Sequence, residues 1–274
     1  MKRAVISMML AAVLALFAAL AAPAARAAGV DGADAAGAAD DGAAPPVTPY
    51  RPSVSTPAQL PAPGQLELEL GGVSARTADG QRGGLPYTLK LAFSEQWGMV
   101  VGGEAFVTQP NDDGTRGRGL GDTQLVLKRA FLVDSDTAFG LELGAKLPTA
   151  KDGIGSGKAD YSVNGIYSRD LGPLHMDANL NYTRLGVADD GGGRGQTGWA
   201  AAFSLPLGAR WGALTELSGS HRGGAGDPAQ LLLAATFSPS KRLTFDFGAA
   251  KGLNRAAQDW SVFSGVVLPL ARLW

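Results

Sequence analysis

The chain has 274 residues, 45% of them hydrophobic and 18% charged, with 39 Gly, 16 Pro and a formal net charge of −1. It contains no cysteine, which excludes disulfides, a lipid anchor on Cys, thiolate metal sites and thiol catalysis. Nothing in so balanced a charge points to a nucleic-acid partner.

Lys2 and Arg3 precede an apolar run from Ala4 to Leu20 broken only by Ser7, and Ala25-Arg26-Ala27 offers small residues for cleavage. This is the pattern of a cleavable secretory signal peptide over 1–27. Its removal takes Lys2, Arg3 and Arg26 away, three positive charges, so the net charge goes from −1 to −4. No later stretch approaches about 18 consecutive apolar residues, so no transmembrane helix is expected in the mature chain. Residues 28–63 are mostly Ala, Gly, Asp and Pro and close on Pro61-Ala62-Pro63-Gly64. Such a composition cannot bury enough apolar surface to offset its ordering entropy. The expectation is a disordered periplasmic tether, with a periplasmic interaction peptide as the alternative.

From 64 to 274 the period changes to two, and turn signals divide the chain into about twelve strands. Leu66, Leu68 and Leu70 alternate with Gln65, Glu67 and Glu69; Leu85, Tyr87, Leu89 and Leu91 alternate with Thr88, Lys90 and Ala92. Trp97, Met99, Val101 and Val107 are placed on one face opposite Glu104. Leu125, Leu127 and Phe131 then oppose Gln124 and Lys128, and Leu141, Leu143 and Leu147 oppose Glu142 and Lys146. Tyr161, Val163 and Tyr167 oppose Asp160 and Asn164, while Leu180 and Tyr182 oppose His175, Asp177, Asn179 and Asn181. The same alternation continues through Trp199 and Phe203, through Trp211 and Leu217 against Glu216, and through Leu231, Leu233 and Phe237. The final hairpin sets Leu243, Phe245 and Phe247 against Thr244, Asp246 and Gly248. Its last arm has ambiguous parity, because Pro269 removes a ladder donor.

One uniformly apolar face against one polar face suits strands that turn the bulky side to lipid and the polar side to a lumen. Longer Gly-, Asp- and Arg-rich loops are expected around 78–84, 110–121, 149–157, 186–197, 222–228 and 254–259, with short turns between them. Aromatic residues sort beside both kinds of connection, as interfacial girdles do. Arg129, Arg184 and Lys251 fall on the lipid-side parity near strand ends, where long side chains can reach the interface. The fold class expected is therefore all-β: a transmembrane antiparallel up-and-down barrel of about twelve strands over 64–274. An even count leaves both chain ends on the short-turn side.

Three segments carry a family resemblance. The first is Gly121-Asp122-Thr123 through Leu127-Lys128-Arg129 to Leu143-Gly144-Ala145-Lys146-Leu147-Pro148-Thr149. The second is Gly155-Ser156-Gly157-Lys158-Ala159-Asp160-Tyr161-Ser162 with Asn179-Leu180-Asn181-Tyr182-Thr183, and the third is Phe245-Asp246-Phe247-Gly248 with Gly252-Leu253-Asn254 and Asp259-Trp260. Across most of 120–265 they resemble the outer-membrane barrel family named for the meta-pathway of phenol degradation. Ala150 stands where that family commonly has Gly, and the Pro269-to-Trp274 ending departs from it. The resemblance implies a barrel in the bacterial outer membrane that passes small hydrophobic or aromatic compounds.

Lys90, Glu104, Lys128, Glu142, Lys146, Asp160, Asn179, Glu216 and Asp246 share the inward parity and are the candidate lumen-lining or binding residues. They either pack as a salt-bridged filling or line a selective route. Mixed sign argues against strong selectivity for one ion charge. No catalytic set is expected. Ser220 and His221 are adjacent and so point to opposite faces, and Ser218 shares the parity of Ser220. Two His and no Cys leave no transition-metal cage, and turn chemistry explains Asn111-Asp112-Asp113-Gly114 and Asp189-Asp190-Gly191. No cofactor is expected. The expected partners are outer-membrane lipid, small organic solutes, and the barrel-assembly machinery through the strand ending at Trp274. The function expected is passive uptake of small organic, aromatic or hydrophobic compounds. The alternative is a structural or ligand-binding barrel without transport, with an outer-membrane hydrolase less favoured.

Overall fold

The computed structural model describes residues 44–111, 113–188 and 192–274. The signal peptide expected over 1–27 and residues 28–43 of the expected tether lie outside the described residues. The strands are β1 (Gln65–Thr77), β2 (Gly80–Ala92), β3 (Trp97–Pro110), β4 (Arg116–Gly119), β5 (Thr123–Leu132), β6 (Thr137–Leu147) and β7 (Asp160–Leu171). After them come β8 (Leu174–Arg184), β9 (Gly195–Pro206), β10 (Trp211–Arg222), β11 (Ala229–Ser240), β12 (Leu243–Gly252) and β13 (Trp260–Arg272). All pairings between them are antiparallel. β4 pairs only with β3, and the other twelve close a ring, because β1 pairs with β13 and β2 pairs with β3. Closure leaves the twelve ring strands without a sheet edge, so the ladder satisfies their backbone without help from water.

The alternation decides which face each side chain takes. Leu141 is 39% exposed, Leu143 53% and Leu180 68%, whereas Glu67, Lys90, Lys128 and Glu216 are each 0% exposed. Apolar side chains point outward and charged ones inward, the reverse of a soluble sandwich core. Neighbouring strands reinforce the outer face near the short turns: Phe131 pairs with Phe139, which pairs with Tyr167 at a ring separation of 5.2 Å. On the same face the Arg129 guanidinium lies over Trp97 and Phe131, at 4.9 and 4.7 Å from the ring centroids. Two aromatic faces thus shield this outward charge.

Three local expectations change. The connection expected around 78–84 is a two-residue turn: Thr77 pairs with Gly80, whose φ of 134° only glycine adopts readily. The strands on either side are correspondingly longer. In β3 a bulge opposite Leu85 and Pro86 inserts one residue, so Phe106 turns outward and Val107 becomes fully buried. Val107 therefore leaves the face it would share with Trp97 and Met99. In β13 the parity is now defined. Ser261 and Val267 are buried, Val262 is exposed, and a register shift between Leu66 and Glu67 accommodates Pro269.

Candidate functional site

Residues 44–63 differ from the disordered tether expected for them. The segment starts near a short turn, where Val47 N donates to the Lys241 carbonyl, and it returns to that end, where Pro63 bridges Ala92 and the chain enters β1. Between those points it touches inward side chains of β1, β2, β5, β6, β7, β8, β10 and β12. A chain segment that reaches the inner face of strands all round the ring lies inside it. The lumen is its binding partner.

The contacts are polar. The Glu67 carboxylate accepts from Thr48 N, and that of Glu69 accepts from Tyr50 N at 2.7 Å and Arg51 N at 3.2 Å. Lys90 Nζ sits between these two carboxylates, at 3.0 Å from Glu67 and 2.6 Å from Glu69, and donates to the Thr48 carbonyl. The Arg51 guanidinium forks onto Asp246, at 3.0 and 3.1 Å, and also reaches the Ser264 carbonyl. Glu216 accepts from Ser55 N at 2.8 Å and from Ser55 Oγ at 2.9 Å. Asn179 accepts from Thr56 N and returns a bond to the Thr56 carbonyl, while Thr56 Oγ1 donates to Glu142. Lys128 Nζ bonds Glu142 at 3.1 Å and the Pro57 carbonyl, and Ser168 Oγ accepts from Ala58 N.

These bonds have a physical logic. Irregular backbone inside a membrane barrel must have its N–H and C=O groups satisfied, and here wall side chains do that work. The wall supplies five buried carboxylates (Glu67, Glu69, Glu142, Glu216 and Asp246) and half-buried Asp177, which accepts from Ser168 Oγ, against two buried lysines, Lys90 and Lys128. Arg51 and the segment's backbone N–H groups meet the surplus acceptors. Tyr50 fills the space between the two lysines, whose Nζ atoms lie 4.3 and 4.2 Å from its ring centroid. Hollows in the wall complete the fit. A Cβ at Gly71 or Gly265 would come within 2.5 or 2.4 Å of the Arg51 guanidinium.

The nine candidate lumen residues therefore fall into three places. Lys90, Lys128, Glu142, Asn179, Glu216 and Asp246 hold the inserted segment. Lys146 and Asp160 lie near the long loops with Asp122, which shares their inward parity; Lys146 Nζ is 3.2 Å from Asp122 and 2.9 Å from Asp160. That cluster pins loops, since Asp122 accepts from Ala150 N and Asp160 from Gly186 N. Glu104 pairs with Arg82 at 2.5 Å. Glu67 and Glu69 belong with the first group.

Two cavities lie on opposite sides of the segment and share no lining residue. The one toward the short turns, about 510 Å³, runs between the segment and β8–β11 and includes His175 and Asp177. The one toward the long loops, about 400 Å³, is floored by Val54 of the segment and walled by β7–β11. On the outer rim His221 is exposed and bonds Asp227 at 2.8 Å, while Ser218 and Ser220 line the second cavity, so no serine–histidine pair forms. Asp113 accepts from Thr115 N and Oγ1, which holds its carboxyl below the usual range and accounts for that turn; Asp112 and 189–191 lie outside the described residues.

No family model and no curated protein matches the chain. Among solved structures, an outer membrane channel from Pseudomonas putida F1 superimposes with a TM-score of 0.61 at 10% identity, covering 82% of this chain and 100% of that one. The NanC porin does so with a TM-score of 0.53 at 9% identity, covering 75% and 100%. The KdgM porin gives 0.50 at 11% identity, covering 75% and 99%. At such identities the likeness is one of fold: an outer-membrane β-barrel.

Proposed function

We propose that this protein is an outer-membrane channel for small organic solutes, closed in this state by its own residues 44–63. The proposal includes export through the signal peptide at 1–27 and assembly of the barrel through the strand that ends at Trp274. One observation carries it: the lumen is filled by a separate segment held through hydrogen bonds and ion pairs, not by apolar packing of the wall. Water and solute can replace such bonds one for one, so displacement of the segment exposes a polar route instead of a collapsed core. The resemblance to the phenol meta-pathway barrels adds aromatic compounds to the solutes to be tried. Passage is passive, with the solute gradient as the driving force.

The second reading, a ligand-binding barrel without transport, is favoured by the same occlusion, and one experiment separates the two. The chain has no native cysteine, so Ala58→Cys with Ser168→Cys gives a single bridgeable pair across the bond that ties the segment to β7. Solute flux into liposomes is measured with the pair reduced and with it bridged by a short bis-thiol reagent. Flux in the reduced protein that bridging suppresses is the expected result. No flux from a correctly folded reduced barrel leaves the binding reading, and equal flux in both states means that the route bypasses the segment.

A further inference from the structure

The cavity on the long-loop side has a lining unlike the rest of the lumen. Register places Asn164, Asn181, Gly198 and Ser220 in one row across β7, β8, β9 and β10. The row below it contains Asn179, Ala200, Ser218 and Gln230. Gln196 and Gln258 complete the rim. Every polar side chain in this wall is an amide or a hydroxyl, and none of the lining residues is charged. The small residues of β9 make the hollow: a Cβ at Gly198 would lie 2.7 Å from the Asn181 amide.

Part of this lining is already engaged and part is not. Asn179 is occupied by Thr56, and Gln258 bonds Gln230, which in turn bonds Ser218. These bonds fix the floor and one side. The side chains of Asn181, Gln196 and Ser220 are half-buried, line the cavity, and have no hydrogen-bond partner among the described residues. They present amide donors, amide acceptors and a hydroxyl toward the same space.

From this we infer that the cavity is a binding site for small, neutral, hydroxyl-rich molecules of sugar size, the substrate class of the proposed channel. Each ligand hydroxyl can both donate and accept, which matches amides that offer both functions. A volume of about 400 Å³ lies within the usual range for small-molecule sites. Ions are disfavoured, because they shed water here without gaining an opposite charge. Arg222 stands at the rim of the same wall, opposite Gln196 and beside an adjoining hollow, and is itself engaged. Lys146 is held between two carboxylates and Arg82 on Glu104, so these cations are already committed. Simple aromatics are also poorly matched. Trp199 is the one aromatic bordering the cavity, and it alternates with buried Ala200 and stands 45% exposed on the outer face.

The inference rests on the channel reading only for the word substrate, and a binding measurement tests the site by itself. The folded full-length barrel in a non-glycosidic detergent is titrated calorimetrically with maltose, glucuronate and phenol. Saturable maltose binding is expected, with glucuronate and phenol at least tenfold weaker. Asn181→Leu should weaken maltose binding at least tenfold; Gln196→Leu serves the same purpose if the first variant does not fold. The idea is overturned by absent maltose saturation, by glucuronate or phenol binding as well as maltose, or by unchanged affinity in a folded variant. Maltose binding without maltose flux refutes the channel and leaves the site standing. Flux without saturable binding does the opposite.

Discussion

The two ends of the lumen solve different problems with different chemistry. Toward the short turns, five buried carboxylates and two buried lysines of the wall enclose a stretch of irregular chain, and nearly every one has a named partner. Toward the long loops, the cavity over Val54 is lined by amides and hydroxyls without charge, and three of those side chains wait for a partner. A charged wall suits an occupant that stays until water or solute takes over all its bonds together, because a buried ion pair broken on one side without a replacement is costly. A neutral amide wall suits a transient occupant, because each bond exchanged with water changes little.

The comparison breaks most visibly at Lys128. Replacing it with Met leaves Glu142 without its cation, 3.1 Å away at present, and should cost about 3–5 kcal/mol, read as a lowered midpoint in denaturant unfolding of the refolded barrel. Leu89→Arg places a charge on the lipid face at mid-strand, outside both regions, and should impair assembly by about 2–4 kcal/mol. An equal yield of folded barrel from that variant, judged by migration of the unboiled band, would contradict the assigned parity of β2. Arg51→Ala strands Asp246 and removes the fork that spans the lumen; a loss of about 1.5–3 kcal/mol is expected. Its sharper signature is local: protease should cut within 44–63 faster than in the parent while the barrel band persists. Smallest is Asn181→Leu, a half-buried site on the neutral wall, which should shift stability by under about 0.5 kcal/mol. A large destabilisation there would mean that the neutral wall is structural after all.

Much of the barrel was legible in the sequence because its driving pattern is local. Leu141, Leu143 and Leu147 set against Glu142 and Lys146 say which way β6 faces, whatever its neighbours are. Bulges were not legible: Val107 follows the expected period, and only the pairing of β2 with β3 shows that the period slips before it. The inserted segment was misread for a related reason. Its scarcity of apolar residues signals disorder if the available partner is an apolar core, but here the partner is a polar lumen. Pro49, Pro52, Pro57, Pro61 and Pro63, which looked like tether composition, also limit the N–H groups that the lumen must satisfy. In the wall, Gly71 and Gly265 were a silent signal of the same insertion, since only Arg51 explains the space they leave.

By itself the sequence determined the strand class, the inward and outward faces, and the placement of both ends of the barrel on the short-turn side, since alternation and parity are properties of neighbours along the chain. Only the tertiary structure decided that the lumen is occupied, which charges pair across it, and where a neutral cavity remains. Those outcomes depend on residues more than a hundred positions apart, such as Arg51 with Asp246 and Ser55 with Glu216. Ring closure brings such residues within a few ångströms of each other, and no local period records it.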